Sequence, residues 1–286
     1  MTPGKTAPLL DRFISGSFKV VYDNTPLGIW RGNATTCVPV VQSRELRVKN
    51  WGHRVKLVHA TDLHYDPEAG VNKAHIASVV KACLDQKPDA IILTGDFIFD
   101  ICRNPDELKR ALRPLAAHVP TFASLGNHDG GKHAFSQGGY RSTKVVEGIL
   151  HDAGITLLKN QATTINLKGN QIQLIGLLDV WAGGFSPEAA FRDANHAIYT
   201  IVLSHNPDTY DHLKDKHWNL MLAGHTHGGQ VILPIIGAPW TPSHRFVAGW
   251  YDFVDRQLHV SRGTGALLQM RVCCPAEISV INLLKG

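Results

Sequence analysis

Seven residues of three kinds, Asp62, His64, Asp96, Asn127, His205, His225 and His227, stand in short clusters, and each cluster closes an apolar run. The run 55–60 leads into Thr61-Asp62-Leu63-His64, the run 90–93 into Thr94-Gly95-Asp96, and the run 122–125 into Gly126-Asn127-His128-Asp129. Residues 201–203 lead to Ser204-His205, and 220–223 to Gly224-His225-Thr226-His227. Carboxylate, amide and imidazole donors in this mixture suit Mn, Fe, Zn or Co, whereas calcium prefers all-oxygen cages. Two such cations about 3.5–4 Å apart clamp an in-line displacement at phosphorus, and one carboxylate can bridge them. They neutralise phosphoryl oxygens and lower the pKa of a water, as phosphate-ester chemistry at neutral pH requires.

Singly, each cluster has a plain alternative. Gly95-Asp96 and Asn127-His128-Asp129 read as turns, and Asp62 and His64 as a turn cap and a surface histidine. Five clusters in series, each at a strand end, are a different matter. Strands that end together present their residues at one edge of a sheet, the usual position of a site in α/β proteins. His225 and His227, two apart on an extended segment, face the same side. Gly95, Gly126 and Gly224 allow sharp turns and close approach to a ligand.

The elements that must hold these residues alternate at first. A strand at 55–60 precedes a helix at 72–86. A strand at 90–94 precedes a helix with Asn104 as N-cap and Pro105 in its first turn. A strand at 121–125 precedes a helix at 143–153. After about residue 155 short strands dominate, at 172–178, 198–204, 220–223 and 230–233, then near 246–254, 257–261 and 277–283. Short helices intervene at Ser186-Pro187-Glu188 and at 208–214. The pattern predicts an α/β fold with two packed sheets flanked by helices. No repeat or low-complexity tract marks a linker. Residues 1–50 read as a leader with a few short extended pieces, and 51–286 as the domain.

The series Asp62-x-His64, Gly95-Asp96, Gly126-Asn127-His128-Asp129, His205 and Gly224-His225-x-His227 resembles the calcineurin-like metallophosphoesterase superfamily. The resemblance implies a four-layer αββα sandwich of two mixed β-sheets. It implies two divalent cations, with Mn the first expectation. One would be held by Asp62, His64, Asp96 and His227, the other by Asp96, Asn127, His205 and His225, with Asp96 bridging. His128 would stabilise developing charge or protonate the leaving oxygen, oriented by Asp129. Gly224-His225-Thr226-His227-Gly228-Gly229-Gln230, the Leu233-Pro234-x-x-Gly237 loop and Arg271…Pro275-x-Glu277-Ile278 are similar to a narrower bacterial subgroup of membrane-associated phosphodiesterases. That subgroup includes pyrophosphatases of lipid A synthesis, which cleave UDP-2,3-diacylglucosamine to lipid X and UMP. A general phosphodiesterase for soluble nucleotides is the alternative. A non-catalytic scaffold of the same fold is a second alternative, against which the filled ligand set argues.

Composition sets the bounds. Of 286 residues, 44% are hydrophobic and 19% charged, which describes a chain able to bury a sizeable core. No apolar run reaches the roughly 18 residues of a membrane span. Asp11 and Arg12 interrupt the N-terminal stretch, so we expect a cytoplasmic protein, peripheral at the inner membrane surface. Five cysteines, with Cys273 and Cys274 adjacent, read as buried free thiols rather than a disulfide framework. A net charge of +5 fits an anionic substrate or membrane surface. No aromatic-plus-basic stripe suggests a nucleic-acid partner.

Two stretches bear on a nucleotide-linked lipid as substrate. An apolar loop at 231–240 follows the last candidate ligand. Residues 9–22 mix Leu9, Phe13, Ile14 and Phe18 with Arg12 and Lys19, as a segment lying on an anionic leaflet would. Packing against the core is the alternative for both. Lys132, His133 and Arg141, in a Gly-rich loop after Asn127, either contact substrate phosphate or sugar or are simply solvated. Trp240 is a further candidate substrate contact.

Overall fold

The central strands are apolar on both faces, so each must be covered twice. In β3 (Val55–Ala60), Val55 and Leu57 face one core while Val58 and Ala60 face another. β4 (Ala90–Thr94) divides the same way, with Ala90 and Ile92 opposite Ile91 and Leu93. The period of two is that of the pleat, and near-continuous apolar runs are what a parallel sheet covered on both faces needs. The computed structural model describes residues 31–33, 38–233, 237–239, 241–243, 245–267 and 270–286.

One six-stranded sheet has the order β2 (Val40–Val48), β14 (Glu277–Lys285), β3, β4, β5 (Thr121–Ser124), β6 (Thr156–Leu157). The other has the order β11 (Gly249–Asp252), β12 (Gln257–Val260), β10 (Leu220–Ala223), β9 (Tyr199–Leu203), β8 (Asn170–Gly176), β7 (Gln161–Leu167). Both are mixed. β3, β4 and β5 run parallel with β14 antiparallel to β3. β8, β9, β10 and β12 run parallel between antiparallel β7 and β11. A separate ribbon pairs β1 (Arg31–Asn33) with β13 (Met270–Val272).

Between the sheets lies a core that includes Leu57, Ile92, Leu203, Leu222 and Ile281. Helices α1 (Lys73–Asp85), α2 (Pro105–His118) and α4 (Lys144–Asp152) cover the outer face of the first sheet through Ile76, Leu112 and Ile149. Ala190 of the short helix α5 (Pro187–Phe191) packs with Leu213, Trp218 and Phe246 on the outer face of the second. The four layers are therefore αββα, as expected. Asn72 caps α1 by accepting from the Ala74 and His75 amides, and Asn104 caps α2 by accepting from Glu107, with Pro105 at the first position.

Several expected elements differ. Residues 40–48, placed with the leader, form a nine-residue strand in continuous register with the C-terminal β14. Residues 9–22 lie outside the described residues. The strand expected at 230–233 is instead a loop held by isolated bridges at Val231 and Leu233. Gly228, Gly229 and Gln230 all take positive φ and curl the chain before it can extend. The Gly-rich loop after Asn127 contains a short helix, α3 (Lys132–Ser136). Cys83, Cys102 and Cys274 are buried free thiols, and Cys273 is half-buried.

Candidate metal centre

The ends of β3, β4 and β5 in one sheet and of β9 and β10 in the other are tied together by main-chain bonds. The Asp62 amide donates to the Gly95 carbonyl (3.0 Å) and the Gly224 amide to His205 (2.9 Å). Between the sheets, the His225 amide donates to the Asp62 carboxylate at 3.1 Å. Asp62, His64, Asp96, His225 and His227 all have φ between 47° and 71°. Non-glycine residues in this region cost about 1–3 kcal/mol each, and they persist where the surroundings impose them. Two glycines make room for the carboxylates. A Cβ on Gly126 would stand 2.1 Å from Asp96 Oδ1, and one on Gly224 2.2 Å from Asp62 Oδ2. Their role is thus to admit a neighbouring strand's side chain.

Donor atoms of Asp62, His64 and His227 lie within 4.8 Å of one another, and so do those of Asp96, His205 and His225. Asp96 borders both groups, because its Oδ2 is 3.4 Å from His64 Nε2 and 3.0 Å from His205 Nε2. Asn127 Oδ1, His205 Nε2 and His225 Nε2 are buried without a hydrogen-bond partner. His64 Nε2 and His227 Nε2 face each other at 3.0 Å. A buried polar atom left without a partner costs about 1–3 kcal/mol. Orphaned nitrogen and oxygen donors beside two carboxylates fit two divalent cations.

The tautomers agree with this. His205 Nδ1–H donates to the Thr94 carbonyl at 2.7 Å, so Nε2 is the ring atom turned to Asp96. Burial opposes a charge there, but the Asp96 carboxylate raises His205 well above the ordinary imidazole value. Burial pushes His64 down to about 3, and lowers His225 and His227 well below the ordinary imidazole value. All three are neutral donors at physiological pH. Burial opposes ionisation of Asp96, but His205 and His128 hold its carboxyl well below the usual range. Burial, with the Asp96 charge adding to it, lifts Asp62 to about 6.

His128 is half-buried. Its Nδ1–H donates to the Phe99 carbonyl at 2.6 Å, and its ring stacks on Phe99 with centroids 5.5 Å apart. The ring meets His64 edge-on at 5.0 Å. Orientation by Asp129 was expected, and the hydrogen bonds correct this. The Asp129 carboxylate accepts from the amides of Asp96 (2.9 Å), Phe97 (2.7 Å), Ile98 (3.4 Å) and Gly126 (2.8 Å), so it ties the β4 and β5 loops together. Burial and the adjacent Asp96 charge push its carboxyl up to about 7, against the pull of those amides.

Of the candidate substrate contacts, His133 reaches the site, its ring 5.6 Å from that of His128. Lys132 is exposed at the start of α3, where its amide donates to the Ala182 carbonyl. Arg141 stacks its guanidinium on the exposed Phe135 ring at 4.0 Å, and no bond ties it to the candidate ligands. Trp240 lies outside the described residues. Sequence reasoning missed Asp179 and Trp181. Asp179 is fully buried, and burial raises its carboxyl to about 6 while the His205 charge pulls it down. Trp181 meets the His225 ring edge-on at 4.4 Å. The signal was available: Asp179 follows the apolar run 174–178, as the other candidates follow theirs.

Comparison with known proteins bears on the same residues. The family model for calcineurin-like phosphoesterases matches residues 55–229. The chain is 38% identical to phosphodiesterase YaeI of Escherichia coli, over 80% of this chain and 82% of that one. It is 30% identical to the UDP-2,3-diacylglucosamine pyrophosphatase LpxG of Chlamydia trachomatis, over 81% of this chain and 84% of that one. A solved structure, TT1561 of Thermus thermophilus, aligns with a TM-score of 0.46 at 14% identity, covering 74% of this chain and 91% of its own.

Proposed function

The chain belongs to the calcineurin-like phosphoesterase family of hydrolases, and on that footing we propose that it cleaves the pyrophosphate of UDP-2,3-diacylglucosamine, giving lipid X and UMP at the inner membrane surface. In this reading Asp62, His64, Asp96 and His227 hold one divalent cation, Mn first among the choices. Asp96, Asn127, His205 and His225 hold the other. The observation that carries the hydrolytic part is the grouping of Asp96, His205 and His225 beside that of Asp62, His64 and His227, with Asn127 Oδ1 and His225 Nε2 buried without partners. When bound, the cations supply charge neutralisation at the phosphoryl oxygens and acidify water.

The protein's own residues do the rest. His128, with Nδ1–H committed to the Phe99 carbonyl, has Nε2 left to hold or deliver a proton at the leaving oxygen. The Thr94 carbonyl fixes the His205 ring, and the Asp62 carboxylate is fixed by the His225 amide. Asp129 fixes the loops that carry Asp96 and Asn127. The lipid part is supported by the Chlamydia relative's substrate and by the apolar sequence at 231–240. Among the described residues no helix is long and apolar enough to cross a membrane.

A phosphodiesterase acting on soluble nucleotides is the second reading, favoured by the higher identity to the Escherichia coli phosphodiesterase. A turnover panel of UDP-2,3-diacylglucosamine, a nitrophenyl diester and a cyclic nucleotide separates them. The first reading expects the largest kcat/KM on the lipid. A soluble ester turning over faster than the detergent-dispersed lipid would reject it.

A further inference from the structure

We infer that Trp181 is a specificity-determining residue of this site, one that holds a planar nucleobase on the phosphoester substrate. The inference rests on the phosphoester reading above and adds the residue that holds the substrate's base. A single exposed apolar residue is ordinary on a protein surface, but Trp181 is set apart by its position and by the way it is held.

Trp181 is 39% exposed, and its ring bridges two residues of the site. Its centroid lies 4.4 Å from that of the candidate ligand His225, nearly perpendicular to it. On another side lies His133, 5.3 Å away, which in turn meets His128. The part-exposed indole thus stands beside a candidate ligand and beside His133, within reach of a substituent on a phosphoester held at the candidate metal centre.

The loop that carries Trp181 is fixed in advance. Asp179 Oδ1 accepts the Trp181 amide at 2.7 Å, and the Asp179 carbonyl accepts the Ala182 amide at 3.2 Å. The Ala182 carbonyl in turn accepts the Lys132 amide at 2.8 Å. Asn160 closes the base of the loop, accepting from the amides of Leu178 and Ser186 and donating to the Gly184 carbonyl. With the loop backbone fixed and the ring against His225 and His133, little ordering is needed when a ligand arrives, so most of the stacking free energy is retained as affinity. Every nucleobase has a π-face, so such a platform selects for a base without reading its identity. Asp179 acts as a positioning residue, since its carboxylate shapes the turn and not the base.

The test compares two phosphates that differ only in the base, UMP and ribose 5-phosphate. Their Kd values are measured by titration calorimetry on the full chain loaded with Mn²⁺. Wild type should bind UMP more tightly, by about 5- to 100-fold. Trp181→Ala should collapse that ratio toward one, and Trp181→Phe, which keeps an aromatic face, should retain most of it. Equal affinity for the two ligands in wild type would overturn the inference while leaving phosphoester binding intact. So would a Trp181→Ala protein that keeps the ratio, or one that weakens both ligands equally, which would make the indole a mere support for His225. Failure of wild type to bind either phosphate would remove the phosphoester reading and this one together.

Discussion

At the residue scale, the division of labour around Asn127-His128-Asp129 is the sharpest lesson. Three consecutive side chains fare differently: Asn127 Oδ1 is buried without a partner, His128 stacks on Phe99, and Asp129 sits in a nest of amides. We therefore expect His128→Ala to keep most of its metal while kcat falls about 10²- to 10⁴-fold, the range for general acid–base catalysis. Elemental analysis beside steady-state rates checks this, and parallel loss of metal and activity would make His128 a ligand instead. Asp129→Asn should behave differently. It puts an NH2 group where a carboxyl oxygen accepts backbone amides in the core, and a buried polar group left without a partner costs about 1–3 kcal/mol. Its urea midpoint should drop before its chemistry is touched. The types and spacing of the candidate ligands were legible in the sequence because each ends an apolar run. The partner of Asp129 was not, because adjacency along the chain says nothing about which way a buried carboxylate turns.

At the element scale, strand ends do the positioning and the loops after them absorb the strain. The parallel strands read clearly, since their apolar runs are nearly unbroken, and the second helix read clearly from its Asn104 cap and Pro105. The segment after His227 misled because Val231, Ile232 and Leu233 look like a strand, while two glycines and the left-handed Gln230 bend it away. Asp179 escaped notice because a lone aspartate after an apolar run also reads as a turn residue. The start of β14 supplies a pH test. Burial opposes ionisation of Glu277, yet the His259 and Arg262 contacts hold its carboxyl down at about 2, from an ordinary 4.5. A folded-state value below the unfolded one contributes stability above the unfolded pKa, lost as pH falls through the folded value. Thermal melts should therefore lose stability between about pH 4.5 and 2, and Glu277→Gln should flatten that part of the curve. A variant with the wild-type slope would place the acid sensitivity elsewhere.

At the scale of the whole molecule, the site belongs to neither sheet alone. Asp62, His64, Asp96 and Asn127 follow strands of the first sheet, and His205, His225 and His227 follow strands of the second. The core between them, with Leu57, Ile92, Leu203 and Leu222, must form before the donors can meet. Ions that bind only the folded chain stabilise it by mass action. Chelation should lower the wild-type Tm, and lower it less in Asp96→Ala, which loses the carboxylate bordering both groups of donors. The most direct measurement is the metal content of active protein as cation is titrated into the chelated chain. Activity should climb with occupancy and level off at two divalent cations per chain, and Asp96→Ala should fall short in both metal and rate. Full activity in protein that carries less than one metal per chain would contradict the di-metal site outright.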